Sequence, residues 1–151
     1  MDQSQAYTEA YAVVLAVSRE RGVELVDVYK KSINKRKFKH FLERLRQLNY
    51  ADDIMLMMDN LSFHKSGDTK QRMDELGFSY TYTPVYSPQY NGIEEVIGIG
   101  KQVVKQRRLE LILRGEEEDL MGLIRHAFES IDAQKVAYCV AKSLGLLALN
   151  Q

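Results

Sequence analysis

The sequence predicts an α/β domain, because short apolar segments of strand type alternate with longer segments of helical periodicity. Its 151 residues suffice for one domain with a substantial core. Hydrophobic residues make up 45% and charged residues 28%, which excludes disordered and collagen-like classes. The sequence has no apolar run as long as a membrane span and no secretion signal at its start. We therefore expect a soluble intracellular protein with no membrane partner.

A β-hairpin is predicted at the start of the chain. Residues 11 to 18 form a continuous apolar run, residues 23 to 29 alternate in part, and Gly22 supplies the turn. A helix follows, and either Ser32 or Asn34 can cap it. The apolar positions at helical spacing are Phe38, Phe41, Leu42, Leu45 and Leu48.

The same alternation continues to the end of the chain. Residues 54 to 58 form a short buried strand, residues 69 to 76 a helix that Gly77 ends, and residues 78 to 83 another strand. A loop containing the only two prolines follows. The helices predicted after it cover residues 92 to 114, 116 to 130 and 133 to 147.

The most informative motif begins directly after the strand at residues 54 to 58. Asp59 and Asn60 end that strand, and His64 follows soon after. Farther along, a Tyr-Ser-Pro segment leads to Glu94 at the start of the long helix. The strand end and the helix start thereby place two carboxylates where they can share a metal ion.

These motifs and the interval between them resemble the catalytic core of the mariner-like DDE transposases and their bacterial insertion-sequence relatives. In that family a strand ends in Asp-Asn with a His soon after, and Tyr-Ser-Pro leads into Asn-Pro-Ile-Glu. The resemblance implies a ribonuclease-H-like mixed sheet flanked by helices, with a helical C-terminal segment, and makes residues 1 to 151 part of a DDE catalytic domain. Gly92 stands where the family has Pro and Ile97 where it often has Trp, which we interpret as loosening the helix start.

The resemblance also implies that the first strand of the fold is missing. In the family that strand carries the first catalytic Asp many tens of residues before the second, a distance that this chain does not provide upstream of Asp59. In the family fold, this first strand lies between the strand that corresponds to the one starting near Tyr11 and the strand that corresponds to the one ending at Asp59. We therefore predict homo-oligomers formed through the gap, or residues 1 to 10 folding back to fill it.

The activity implied by the resemblance is metal-dependent DNA strand cleavage and transfer. Asp59 and Glu94 would hold Mg²⁺ or Mn²⁺, which are hard ions that prefer oxygen ligands, and Asn60, His64 and Asn91 would support them. Simpler roles stay open: an Asx turn for Asp59, and for Glu94 a capping box with Asn91.

Other acidic residues are weaker candidates for the metal site. Glu95 follows Glu94 directly, and we interpret it as a solvated charge because the family places the catalytic Glu directly after Ile. Asp27 lies on a predicted strand, and Asp52 and Asp53 precede another. Any of these three is an alternative source of the absent first ligand.

The charge distribution indicates a DNA partner, although the total of 21 basic residues equals the total of 21 acidic ones. Between Lys30 and Arg46, Glu43 is the single acidic residue among eight basic ones. The DNA-binding candidates are Lys35, Arg36, Lys37, Lys39, Lys65, Lys101 and Lys105. A solvated helix face is the ordinary alternative for such a charge run.

Two hypotheses for function follow. The first is a transposase fragment that acts on transposon ends and target DNA, with two of the three carboxylates that a complete site needs. The second is a non-catalytic, transposase-derived module that binds DNA or another protein. The first places the protein in the nucleus of a eukaryotic host, or otherwise in the cytoplasm. The single Cys139 excludes an internal disulfide and is expected to be buried.

Overall fold

The computed structural model describes residues 11–58, 66–82, 92–116 and 119–143, and it confirms the predicted α/β class. The elements are β1 (Tyr11–Ser18), β2 (Gly22–Lys30), α1 (Lys35–Leu48), β3 (Met55–Met58), α2 (Gly67–Glu75), β4 (Ser79–Tyr82), α3 (Gly92–Arg114), α4 (Leu120–Glu129) and α5 (Ala133–Ser143). The helix predicted from residue 116 begins later, because Gly115 turns the chain with φ +69° and Asp119 takes the N-cap position. Residues 144–147 of the last predicted helix lie outside the described ranges.

Local capping explains where the first two helices begin. Asn34 caps α1, since its Oδ1 accepts the Lys37 N–H at 2.9 Å, and Ser32 is not the cap. Helix α2 begins two residues earlier than predicted because Ser66 caps it, its hydroxyl accepting the Thr69 N–H at 3.2 Å. Each cap satisfies a backbone donor that the helix itself leaves without an acceptor.

The strands form two separate pairs. Strands β1 and β2 are antiparallel with a bulge between Ala16 and Val17, whereas β3 and β4 are parallel. Within the described ranges, no ladder of hydrogen bonds joins β1–β2 to β3–β4. The predicted gap in the sheet is compatible with this arrangement. Residues 1 to 10, which were predicted as one way to fill it, lie outside the described part of the chain.

One helical layer packs against both strand pairs. Helices α1 and α2 share a buried cluster with Val14 of β1 and Leu25 of β2, and the β3 side chains Leu56 and Met58 pack against the same cluster. Since a single layer contacts all of these strands, β1–β2 and β3–β4 lie on the same side of it.

The second helical layer covers the other face of β1–β2. Val26 and Val28 of β2 pack with Val96 of α3, Phe128 of α4 and Val136 of α5. No helix in the described ranges is both long and apolar enough to cross a membrane. The sheet β1–β2 is therefore covered on both faces, with α1 and α2 on one side and α3 to α5 on the other.

Candidate active site

Glu94 lies in the first turn of α3, and its side chain is exposed. The position of that turn is fixed by α5, because the Gly92 N–H donates to the Ser143 hydroxyl at 2.5 Å. Ser143 in turn donates to the Cys139 carbonyl at 3.2 Å. A buried hydrogen-bond chain thus ties the start of α3 to α5 and presents Glu94 at the surface.

The interpretation that Gly92 loosens this helix start is wrong. A side chain at residue 92 would collide with the Cys139 carbonyl and the Ser143 hydroxyl. Proline would also lack the N–H that Ser143 accepts. Glycine at this position allows α3 to approach α5 this closely.

Glu95, predicted to be a solvated charge, is exposed and forms an ion pair with α5. Its carboxylate accepts from Lys142 Nζ at 2.7 Å and from the Cys139 thiol at 3.6 Å. The hydrogen bond from Lys142 holds the pKa of Glu95 below its ordinary value, while burial raises the pKa of the Cys139 thiol. Adjacent helical residues point about 100° apart, so Glu95 contacts α5 and Glu94 points elsewhere, and both are exposed.

Neither of the α5 partners, Lys142 and Ser143, was predicted from the sequence. The available signal was their spacing from Cys139, since residues three and four positions apart lie on one side of a helix. That side of α5 faces α3. Cys139 itself is buried, as predicted.

Asp27 is engaged in structural contacts. Its carboxylate is buried, forms an ion pair with Arg44 of α1 and accepts the Tyr29 hydroxyl at 3.2 Å. Burial beside this carboxylate raises the pKa of Tyr29. Asp52 accepts from Arg21 at 3.3 Å, and Asp53 is exposed. Asp27 is therefore committed to packing between β2 and α1.

The remaining candidate site residues lie outside the described ranges: Asp59, Asn60, His64, Lys65 and Asn91. Their predicted roles, and the predicted proximity of Asp59 to Glu94, stay predictions. The chain topology bears on them indirectly, because β3 ends at Met58, directly before Asp59. The parallel partner β4 ends at the same edge, and the chain runs from it to α3. Within the described ranges, no three His, Cys, Asp or Glu side chains are grouped to hold a metal ion.

The basic residues of α1 mostly contact the protein itself. Lys35 binds Asp68 at 2.9 Å, and this hydrogen bond lowers the pKa of Asp68. Lys37 donates to the Ser32 carbonyl at 2.9 Å and lies 5.1 Å from the centre of the Tyr29 ring. These cations stabilise the packing around α1.

Helix α3 carries a second set of cations on the opposite side of the β1–β2 sheet. Lys101 and Lys105 are exposed. By helical geometry both point within about 20° of Glu94, at about 10 Å and 16 Å along the axis. Arg36 and Lys39 belong to α1 on the other face of the sheet. The predicted basic surface is therefore two surfaces, and the one on α3 is aligned with Glu94.

Comparison with solved structures identifies the class of domain. The chain matches the crystal structure of the catalytic domain of Mos1 mariner transposase with a TM-score of 0.60 at 9% identity, covering 89% of this chain and 74% of that chain. It matches the catalytic core domain of BIV integrase with a TM-score of 0.52 at 16% identity, covering 80% and 81%. These similarities confirm the predicted ribonuclease-H-like fold of transposase and integrase cores.

The sequence itself identifies the family. Residues 2–112 match the family described as DDE superfamily endonuclease, a range that includes both Asp59 and Glu94. The chain therefore belongs to the DDE superfamily endonucleases, and the predicted resemblance is confirmed at the level of family and fold. No protein of curated function matches the sequence. The Mos1 catalytic domain has been solved with Mn and with Mg, each time with raltegravir.

Proposed function

We propose that this chain cleaves and joins DNA strands with the help of Mg²⁺ or Mn²⁺, as the catalytic part of a transposase. One observation carries the proposal: in a DDE-family domain, exposed Glu94 opens α3 in line with the exposed Lys101 and Lys105. Such a helix side offers a carboxylate for a hard cation and ammonium groups for DNA phosphates.

Asp59 and Glu94 would hold the metal ions. Their carboxylate oxygens suit Mg²⁺ and Mn²⁺, and the start of a helix favours negative charge at Glu94. When bound, the cations would supply activation of the attacking hydroxyl and stabilisation of the leaving oxygen. Asp59 follows β3 in the sequence, and β3 ends at the same edge as its parallel partner β4, which supports its part in this proposal. Two carboxylates are few ligands for two cations, so we expect weak binding by this pair and turnover only where a third carboxylate joins it.

Lys101 and Lys105 would position the DNA. Phosphate contacts by lysine fix the register of a duplex without reading its sequence. The two ammonium groups follow Glu94 along one side of α3, so a strand bound to them would lead its phosphates towards the carboxylate. A partner of this kind is expected where DNA is present, in the nucleus of a eukaryotic host or otherwise in the cytoplasm.

A non-catalytic DNA-binding or protein-interaction module is the second candidate. Its DNA-binding form rests on the exposed Lys101 and Lys105 alone and needs no metal ion. It predicts DNA binding without any dependence on Asp59 or Glu94, and this separates the two proposals.

Metal titration tests the catalytic proposal. We expect isothermal titration with Mn²⁺ to show a weak site in the wild type that Glu94→Gln and Asp59→Asn each remove. Asp74→Asn is the control and is expected to leave the titration unchanged, because Asp74 is an exposed carboxylate on α2 with no part in the proposed site. If Glu94→Gln binds Mn²⁺ as the wild type does, the metal site is elsewhere and the proposal fails.

The salt dependence of DNA affinity tests the proposed surface. Between about 50 and 200 mM salt, Lys101→Gln and Lys105→Gln are each expected to reduce the log–log slope by about 1. Lys37→Gln is the control, since the ammonium group of Lys37 already binds the Ser32 carbonyl. A wild-type slope near zero would exclude phosphate contacts altogether.

A further inference from the structure

A cleft of about 440 Å³ lies between helices α3 and α5, and we call it the α3–α5 cleft. Glu95 and Ile99 line it from α3, and Gln134, Tyr138 and Cys139 line it from α5. Its volume is within the range of pockets that hold small organic ligands. Neither the proposed metal site nor the proposed DNA surface uses this cleft, so it is a separate candidate for a ligand site.

One wall of the cleft is aromatic and apolar. Tyr138 is 58% exposed, so its ring is accessible to a ligand. Ile99 adds half-buried aliphatic surface, and Cys139 adds a buried thiol, whose pKa is raised by burial so that it stays uncharged. An accessible ring beside neutral groups suits a flat ligand, because flat rings stack on aromatic side chains.

Polar groups line the rest of the cleft. The Glu95 carboxylate is ionised, since the hydrogen bond from Lys142 holds its pKa below the ordinary value. Asp132 Oδ1 accepts the Gln134 N–H at 2.7 Å, and its Oδ2 is a further acceptor. The side-chain amide of Gln134 both donates and accepts hydrogen bonds. These groups suit a ring that carries amino and carbonyl groups at its edge, as the nucleobases do.

Lysines flank the cleft on both helices. Lys101 is exposed on α3, and Lys135 and Lys142 are exposed on α5, where Lys142 pairs with Glu95. Ammonium groups attract phosphates, whereas the carboxylates inside the cleft repel phosphates and accept hydrogen bonds from amino groups. The charges are therefore complementary to a nucleotide with its base inside the cleft and its phosphates outside.

Gly98 separates the cleft from the lysines of α3. Around the helix axis, Gly98 points about 40° from Glu94, and Ile99 in the cleft wall points about 140° from it on the same side. Among the described residues, nothing lies within 4 Å of a methyl group added to Gly98. The surface between Glu94 and the cleft is thus open. A base can cross Gly98 while the backbone of its strand stays on Lys101 and Lys105.

We infer that the α3–α5 cleft binds an unpaired nucleobase of DNA, stacked on Tyr138, while Lys101 and Lys105 hold the phosphates of the same strand. The inference rests on the proposed function, because the strand is the one that the proposed DNA surface of α3 would hold. Stacking accepts every base, since each has a flat π-face. A base in a duplex has to leave its stack first, so the preferred ligand is single-stranded DNA.

Fluorescence anisotropy of labelled oligomers with the full chain tests the inference. The first oligomer is single-stranded DNA of about 12 nucleotides, and the second is an abasic sugar–phosphate chain of the same length. We expect the wild type to bind the first about tenfold more tightly, because one base stacks. Equal affinities would overturn the inference and leave the proposed DNA surface intact. Binding of neither oligomer would overturn both.

Variants of Tyr138 locate the stacked base. Tyr138→Ala is expected to bind single-stranded DNA about tenfold more weakly and the abasic chain unchanged. Tyr138→Phe keeps the ring and is expected to bind both like the wild type. Tyr50→Ala is the matched control, because Tyr50 is 81% exposed but lies just after α1, outside the cleft. Unchanged binding of single-stranded DNA by Tyr138→Ala would overturn the inference.

Gly98→Leu closes the opening without removing any group from the cleft. Leucine is a good helix former, so this variant is expected to stay folded, which circular dichroism checks. We expect its affinity for single-stranded DNA to fall about tenfold, to the level of the abasic chain, and its affinity for the abasic chain to stay unchanged. If Gly98→Leu binds single-stranded DNA like the wild type, the base does not cross Gly98 and the inferred arrangement is wrong.

Discussion

Helices α1 and α3 are the two longest in the described ranges. Both contain basic and apolar residues, but the two helices differ in which of these residues are exposed. Helix α1 buries one side along most of its length, through Phe38, Phe41, Leu42 and Leu45. Its cations bind neighbouring elements, as Arg44 binds Asp27. Helix α3 has its fully buried residues only in its first half, and it exposes Glu94, Lys101 and Lys105.

The difference shows that a basic helix is not by itself a nucleic-acid surface. On α1, Lys35 and Arg44 pair with acidic groups of neighbouring elements. Lys37 binds a backbone carbonyl, whereas Arg36 is exposed. On α3, Lys101 and Lys105 lie on the side opposite the core, where a phosphate can approach. The two helices differ in which side is buried and in which acidic groups lie near their cations. The number of lysines does not distinguish them. We expect α1 to control stability and α3 to control binding.

The largest expected effect tests the structural role of α1. Leu42 is 1% exposed and Leu48 is 58% exposed, although both are leucines of the same helix. Leu42→Ala is expected to lower the free energy of unfolding by about 2–5 kcal/mol through the cavity it leaves. Leu48→Ala is expected to change it by less than about 0.5 kcal/mol. Urea denaturation measures both, and similar losses in the two variants would contradict the packing of α1.

Cation removal compares the two helices directly. Arg44 binds the buried Asp27, whose side chain is 5% exposed, but Arg44 itself is 40% exposed. Arg44→Gln is therefore expected to cost about 2–4 kcal/mol, somewhat less than a fully buried pair. Lys105→Gln on α3 is expected to stay within about 0.5 kcal/mol. A stability loss for Lys105→Gln as large as that for Arg44→Gln would erase the distinction between the helices.

Two glycines of α3 distinguish its buried start from its exposed side. Gly92→Ala is expected to destabilise the domain by about 1–3 kcal/mol, because the added methyl collides with the Cys139 carbonyl. Nothing lies within 4 Å of a methyl group added to Gly98. Gly98→Ala is thus expected to stabilise the helix by about 0.5–1 kcal/mol. Thermal unfolding compares the two variants, and a neutral Gly92→Ala would mean that α3 and α5 are farther apart.

The smallest expected effect concerns the ion pair of Glu95 with Lys142. The folded pKa of Glu95 lies below its ordinary value of 4.5, so below that pH the unfolded chain binds more protons than the folded one. The stabilisation from Glu95 is therefore present above about pH 4.5 and is lost as the pH falls through the folded pKa. Unfolding measured from about pH 3 to 7 should show this loss in the wild type. Glu95→Gln should show a shallower dependence, and identical curves would exclude the contribution.

The sequence was sufficient for most of the fold, because periodicity, caps and glycine stops are local signals. The strands, the limits of α1 and α3, and Gly115 as the end of α3 all follow from neighbouring residues. The start of α4 was predicted at residue 116, which is too early. The helical pattern continues past Gly115 in the sequence, but the positive φ of Gly115 turns the chain and α4 begins at Leu120. The family motif points to Glu94 over Glu95, a choice that stays a prediction, and Glu95 binds Lys142.

The tertiary contacts could not be predicted from the sequence. Neither the Asp27 pair with Arg44 nor the close approach at Gly92 has a local signature, since each joins residues far apart in the chain. The separation of the basic residues into two surfaces depends on which face of the sheet each helix covers. That choice is set by the packing of the whole domain, and no single segment encodes it.

The β3–β4 pair has a consequence for amide hydrogen exchange. It consists of two parallel strands of four residues each and is the smaller of the two strand pairs in the described ranges. A two-stranded sheet is marginal alone, so its opening free energy rests on the side chains that contact α1 and α2. Asp59 directly follows this least protected strand. Occupation of the proposed metal site would therefore slow exchange across Met55–Met58 more than across β1–β2, and protection of β3 would report on ligand binding.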